Sequence, residues 1–213
     1  MNVLYLHGFA SGPDGTKAFA LRKYFQERNV TLVAPDLNAP DFSTLTVSRS
    51  IARIENITRT DDTWDLIGSS MGGLTAAFFA AKFPHRVRKV VLLCPAFHLD
   101  KLFAMSLGQE GTTRWRDTGY HPFANASGNM VFVHWQLFAD LAAYTNFPPV
   151  FHPTLVIHGT QDTTVPIAFS QAFVQTSPLV VLEEIEDDHR MASSVEEVCQ
   201  RIGSFLLTAP TIP

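Results

Sequence analysis

Short runs of apolar, often β-branched residues recur along the chain, separated by stretches in which apolar positions return every three or four residues. The runs Val3–Leu6, Thr31–Ala34, Trp64–Ile67, Lys89–Leu93, Thr154–Ile157 and Leu179–Leu182 are more continuous than alternating, as expected of strands buried on both faces. The intervening spacing predicts helices over Lys17–Arg28, Thr44–Thr58, Met71–Phe83, Pro166–Thr176 and Ser193–Leu207. Pro166 suits a first helical turn, and Ser193 followed by Glu196 has the form of a capping box. Strands alternating with helices imply an α/β fold, a compact, mainly parallel sheet of about six strands with helices on both faces. No internal repeat is present.

The third strand leads into Asp65-Leu66-Ile67-Gly68-Ser69-Ser70-Met71-Gly72-Gly73, where G-x-S-x-G joins a strand to an Ala-rich helix as in a nucleophile elbow. A serine hydroxyl attacks a carbonyl only if its turn holds it proud of the backbone, so small neighbours are needed, and Gly68 and Gly72 supply them. With Ser70 at the tip, the Met71 backbone N–H at the helix start faces the position of a developing oxyanion. The turn after the first strand, His7-Gly8-Phe9, offers a second donor in the Phe9 N–H.

A serine of ordinary basicity needs a histidine base, and that base needs an acid to orient it. The run His158-Gly159-Thr160-Gln161-Asp162-Thr163-Thr164-Val165-Pro166 places Asp162 just beyond a strand's carboxyl end, where parallel sheets meet ligands. The next strand leads to Glu186-Asp187-Asp188-His189, giving the order Ser70, Asp162, His189. Of the eight histidines, His7 and His158 belong to strand-end H-G pairs and are expected to orient loops around the site; His85, His98, His121, His134 and His152 read as surface or packing residues. Asp187 and Asp188 read as solvated turn carboxylates, and Asp36 as a turn residue. No H-x-H or H-E-x-x-H spacing groups the histidines into a metal site, and Gly15-Thr16-Lys17 lacks the adjacency of a phosphate loop. Neither metal nor cofactor is expected.

From about Pro95 to His152 the rhythm breaks, over a stretch too long for a connection in an α/β unit. Ten aromatic rings fall between Phe97 and Phe147. Two readings stand together: the rings build a small core of their own, and a few of them, with Phe97, Trp115 and Trp135 as candidates, line an acyl pocket beneath a cap over the serine. The 213 residues then form one domain, 1–213, with a lid insertion at 95–152.

The formal net charge of −4 offers no basic surface for nucleic acid. The two cysteines, Cys94 and Cys199, read as buried free thiols. The chain enters a strand at once, without a charged n-region and apolar stretch, and has no run of about 20 apolar residues; a cytoplasmic protein without a membrane span is expected. The sequons at Asn56 and Asn125 are accordingly expected to carry no sugar.

With these residues placed, the chain resembles a small α/β-hydrolase over nearly its whole length. Leu4-Tyr5-Leu6-His7-Gly8-Phe9-Ala10-Ser11-Gly12-Pro13 and Ile67-Gly68-Ser69-Ser70-Met71-Gly72-Gly73 are particularly similar to the compact bacterial YqiA/YcfP-like esterases. The resemblance implies a minimal sheet lacking the first two strands of the larger fold, with the nucleophile at Ser70, the acid at Asp162, the base at His189 and oxyanion donors at the Phe9 and Met71 backbones. It also implies cofactor-free hydrolysis of a small-molecule carboxylester or acyl thioester. An acyl-CoA thioesterase would use Lys101, Arg114 or Arg116 for phosphates, and a serine aminopeptidase would use Glu110 or Asp117 for an amine. A reading of another class is a ligand-binding protein that keeps the fold without catalysis. The insertion matches no pattern of known specificity, and the oligomeric state is not legible.

Overall fold

The computed structural model describes residues 1–59, 62–125, 127–144 and 147–208. Six strands form one sheet: β1 (Asn2–Leu6), β2 (Leu32–Val33), β3 (Trp64–Ser69), β4 (Val87–Leu93), β7 (Thr154–Gly159) and β8 (Val180–Ile185). Their order across the sheet is β2-β1-β3-β4-β7-β8, and every pairing is parallel. The helices α1 (Thr16–Gln26), α2 (Val47–Ile57), α3 (Met71–Lys82), α6 (Ile167–Val174) and α7 (Val195–Leu207) lie where the apolar spacing predicts them.

Successive side chains of a strand point to opposite faces, and the two cores sort accordingly. Val3, Tyr5, Ile67, Val91, Leu93, Leu155 and Ile157 pack with Leu21 and Phe25 of α1 and Ile202 and Leu206 of α7. Leu4, Leu6, Leu66, Val90, Leu92 and Val156 face the other way, onto Ile54 of α2, Phe79 of α3 and Phe173 of α6. Both faces being covered explains why the strands lack polar alternation.

The element ends carry the corrections. Helix α2 starts at Val47 rather than Thr44, because the Thr46 side chain accepts the Arg49 N–H as its N-cap while Phe42–Thr44 forms a separate 3-10 turn capped by Asp41. Pro166 precedes the first turn of α6 instead of occupying it. No capping box forms at α7: Ser194 is the N-cap, its side chain caps nothing, and its N–H goes to Asp187 Oδ2 at 2.8 Å. Asp187 is therefore not a solvated turn residue. Only 6% of it is exposed, and its carboxylate is held below the usual range because backbone donors at Asp188 and Ser194 outweigh its burial.

Between β4 and β7 lie α4 (Leu99–Thr118), the antiparallel pair β5 (Tyr120–Ala124) and β6 (Met130–His134), and α5 (Gln136–Asp140). Helix α4 is kinked at Gly108, whose φ of +68° needs a residue without Cβ. The hairpin was not expected from the sequence. Of the segment 95–152, Ala126, Thr145 and Asn146 lie outside the described residues, as do residues 209–213 of the expected domain; the Asn125 sequon runs through Ala126. Cys94 and Cys199 are buried free thiols, and among the described residues no helix is long and apolar enough to cross a membrane.

Candidate active site

Ser70, Asp162 and His189 sit just beyond the carboxyl ends of β3, β7 and β8, so parallel strands deliver all three to one edge of the sheet. Ser70 adopts φ +56°, ψ −119°, a conformation that costs a non-glycine residue on the order of 1–3 kcal/mol and is kept only where surrounding bonds over-determine it. Here those bonds are Ser70 N–H to Leu93 O at 2.9 Å, and Ser70 O accepting from Gly73, Leu74 and Ala96. The close approach is possible because Gly68, Gly72 and Gly8 lack Cβ. A methyl at Gly68 would lie 2.3 Å from Gly72 O, and one at Gly8 would lie 3.2 Å from Ser70 Cβ.

Ser70 Oγ is 3.0 Å from His189 Nε2, and His189 Nδ1 is 2.7 Å from Asp162 Oδ2. Since a carboxylate only accepts, Nδ1 carries the proton and Nε2 offers its lone pair to the serine hydroxyl. The Asp162 side chain is fully buried and that of His189 is 20% exposed, an arrangement that keeps the acid dry and the base reachable. Burial alone would push the Asp162 carboxyl up; hydrogen bonds from His158, His189 and the Val165 N–H prevail and hold it far below the usual range. Among the described residues neither the Phe9 nor the Met71 backbone N–H has a protein acceptor.

Two further residues brace this geometry, and a third lies beside it. His7, 2% exposed, accepts the Leu37 N–H at Nε2 and donates from Nδ1 to Gly8 O, both at 2.9 Å, and its burial lowers its affinity for a proton. Lys17 Nζ donates to Arg190 O at 2.6 Å, tying α1 to the His189 loop across 173 positions, a contact with no signal in the sequence. Cys94 Sγ lies within 4.8 Å of the ligand atoms of Asp162 and His189, the one cluster of metal-ligating type among the described residues. Burial raises that thiol well above its ordinary range, and the acid and base are already bonded to each other.

The candidate pocket residues have different surroundings. Trp115 is wholly buried within the insertion, its Nε1–H on Val133 O at 2.9 Å and its ring against Phe103, Phe123 and Trp135. Trp135 is partly buried and stacks on Phe138, while Phe97, 1% exposed, packs on Phe147 and Phe173. The Phe9 ring contacts Phe103 and Phe123 at centroid distances of 5.5 and 5.1 Å, which couples the loop carrying its N–H to the insertion. Arg114 pairs with Glu110 and Arg116 with Asp117, each at 3.1 Å on exposed side chains of α4.

The monoacylglycerol lipase abhd6-A of Xenopus laevis is 30% identical over 105 residues, which make up 45% of this chain and 30% of that protein. This chain thus matches about a third of that relative's length. The 2-hydroxy-6-oxo-2,4-heptadienoate hydrolase of Pseudomonas putida is 26% identical over 79% of this chain and 74% of its own. Among solved structures, mouse alpha/beta hydrolase domain-containing protein 10 superposes with a TM-score of 0.81 at 19% identity, covering 96% of this chain and 89% of that one. The fold is the α/β-hydrolase fold. The family described as "Uncharacterised protein family (UPF0227)" matches residues 2–207, and the chain belongs to it.

Proposed function

We propose that the protein is a serine hydrolase that cleaves small-molecule acyl esters through an acyl-enzyme on Ser70. The observation that carries this reading is the continuous contact from Ser70 Oγ through His189 to Asp162, at 3.0 and 2.7 Å. Ser70 Oγ attacks the acyl carbon as His189 Nε2 takes its proton, and Asp162 stabilises the imidazolium through Nδ1–H. The Phe9 and Met71 N–H groups receive the oxyanion of the tetrahedral intermediate. Collapse breaks the acyl–oxygen bond, with the Nε2 proton passing to the leaving alkoxide; water then attacks the acyl-enzyme by the same route and releases the acid.

An acyl ester also agrees with the name of the matched lipase. In this reading the chain is one domain in which residues 95–152 form a cap, mainly held by its own aromatic core, with the partly buried Trp135, rather than the fully packed Phe97 and Trp115, as the candidate neighbour of an acyl group. Steady-state hydrolysis of p-nitrophenyl esters from acetyl to palmitoyl tests the proposal. Turnover peaks at one chain length and falls to background in Ser70→Ala, on the order of a million-fold. Full activity in Ser70→Ala overturns it, and turnover of an acyl-CoA without turnover of the matching simple ester replaces the ester by a thioester.

A further inference from the structure

The serine-hydrolase reading leaves one buried imidazole beside the triad without a role. His158, in β7, is fully buried. Its Nδ1 lies 2.7 Å from Ser170 Oγ, and its Nε2 lies 3.0 Å from Val165 O and 3.2 Å from Asp162 Oδ2. A carbonyl and a carboxylate both accept and neither donates, so Nε2 must carry a proton. The Ser170 hydroxyl both donates and accepts, so it suits either tautomer; with the proton fixed on Nε2 by the acceptors there, it donates to the free lone pair of Nδ1.

Resting on that reading, we propose that His158 is a positioning residue for the Ser70–His189–Asp162 relay: the acceptor at Nε2 fixes its tautomer, so that a proton rather than a lone pair lies against the acid 3.2 Å away, and Ser170 fixes the angle of the ring. Both oxygens of Asp162 are then held. Oδ1 accepts the Thr164 and Val165 N–H groups, each at 2.8 Å, while Oδ2 receives His189 Nδ1–H at 2.7 Å and lies 3.2 Å from the protonated His158 Nε2, which also bonds Val165 O. The carboxylate cannot rotate without losing a donor, which fixes the plane in which His189 meets Ser70.

The test uses the full chain as wild type, Ser170→Ala, His158→Met and His158→Gln, with the ring nitrogens followed by 15N NMR beside p-nitrophenyl ester kinetics. In the wild type His158 is the Nε2–H tautomer, and it remains so in Ser170→Ala, where Nε2 still faces two acceptors and only the bond that fixes the ring angle is lost. In His158→Met kcat falls about a hundredfold, the scale of a small misplacement of a catalytic group, with KM within twofold because His158 does not touch substrate. His158→Gln, whose amide N–H reaches towards the position of Nε2–H, recovers about tenfold of that loss. Should His158→Met fail to fold, Ser170→Ala, which loosens the ring without removing it, carries the test through a kcat about tenfold lower at unchanged KM. An Nδ1–H tautomer in the wild type, or an unchanged kcat in folded His158→Met, overturns the proposal. Absence of ester turnover in the wild type overturns the functional reading instead, and the tautomer then decides the placement of His158 on its own.

Discussion

At Gly72 a methyl group would sit 2.2 Å from Leu6 O and 2.6 Å from His7 O. Both are backbone atoms, one in β1 and one just beyond it, so no side-chain rotation relieves the clash; either the helix or the sheet must move. Gly12 is the contrast, with nothing within 4 Å of an added Cβ. Gly72→Ala is expected to lower stability in urea unfolding by about 3 kcal/mol or more, and Gly12→Ala to stay within about 0.5 kcal/mol of wild type. At this scale the elbow and its partners were legible because strand-end motifs name residue types that the chemistry requires. The bracing was not. Asp187 reads as a loop carboxylate in sequence, and only folding brings the Ser194 N–H to it; Lys17 meets the His189 loop through a backbone carbonyl, which any residue would provide.

Among the elements, the strand that opens at Val87 also secures the last helix. Lys89 Nζ donates to Phe205 O at 2.6 Å and Thr208 O at 3.0 Å, and Arg88 donates to Leu206 O at 3.0 Å while pairing with Asp65. Cations thus hold the carbonyls that the end of α7 leaves unbonded, where the helix dipole favours them. Asp65 is 1% exposed, and its burial raises its carboxyl pKa even with Arg88 beside it. Arg88→Met removes that partner and is expected to cost about 2 kcal/mol. Adding Asp65→Asn should return part of the loss in the same urea titrations, and a double variant no more stable than Arg88→Met alone would contradict the pairing. Strands of the main sheet were readable to within a few residues because the inner four, β1, β3, β4 and β7, are buried on both faces. The β5–β6 hairpin was not, since β5 alternates exposed and half-buried positions and carries Pro122 at its centre; proline is tolerated there because a two-stranded ribbon has an edge on each side.

Over the whole molecule, the candidate triad joins residues 119 and 27 positions apart, and parallel strands bring them together here, since all carboxyl ends lie along one edge of the sheet. That is why the site was legible from separate motifs before any contact was known. The role of the aromatic insertion was not legible for an equally physical reason: a small hydrophobic core and an acyl-binding wall are built from the same rings, and Trp115 proves to belong to the core. The proposed nucleophile is Ser70, activated by His189. A fluorophosphonate reaction followed by intact and peptide mass spectrometry on wild type, Ser70→Ala and His189→Ala tests that role. One adduct per chain is expected, on Ser70, missing in Ser70→Ala and much slower to form in His189→Ala. An adduct on Ser69, or an unmodified wild-type chain under excess reagent, contradicts it.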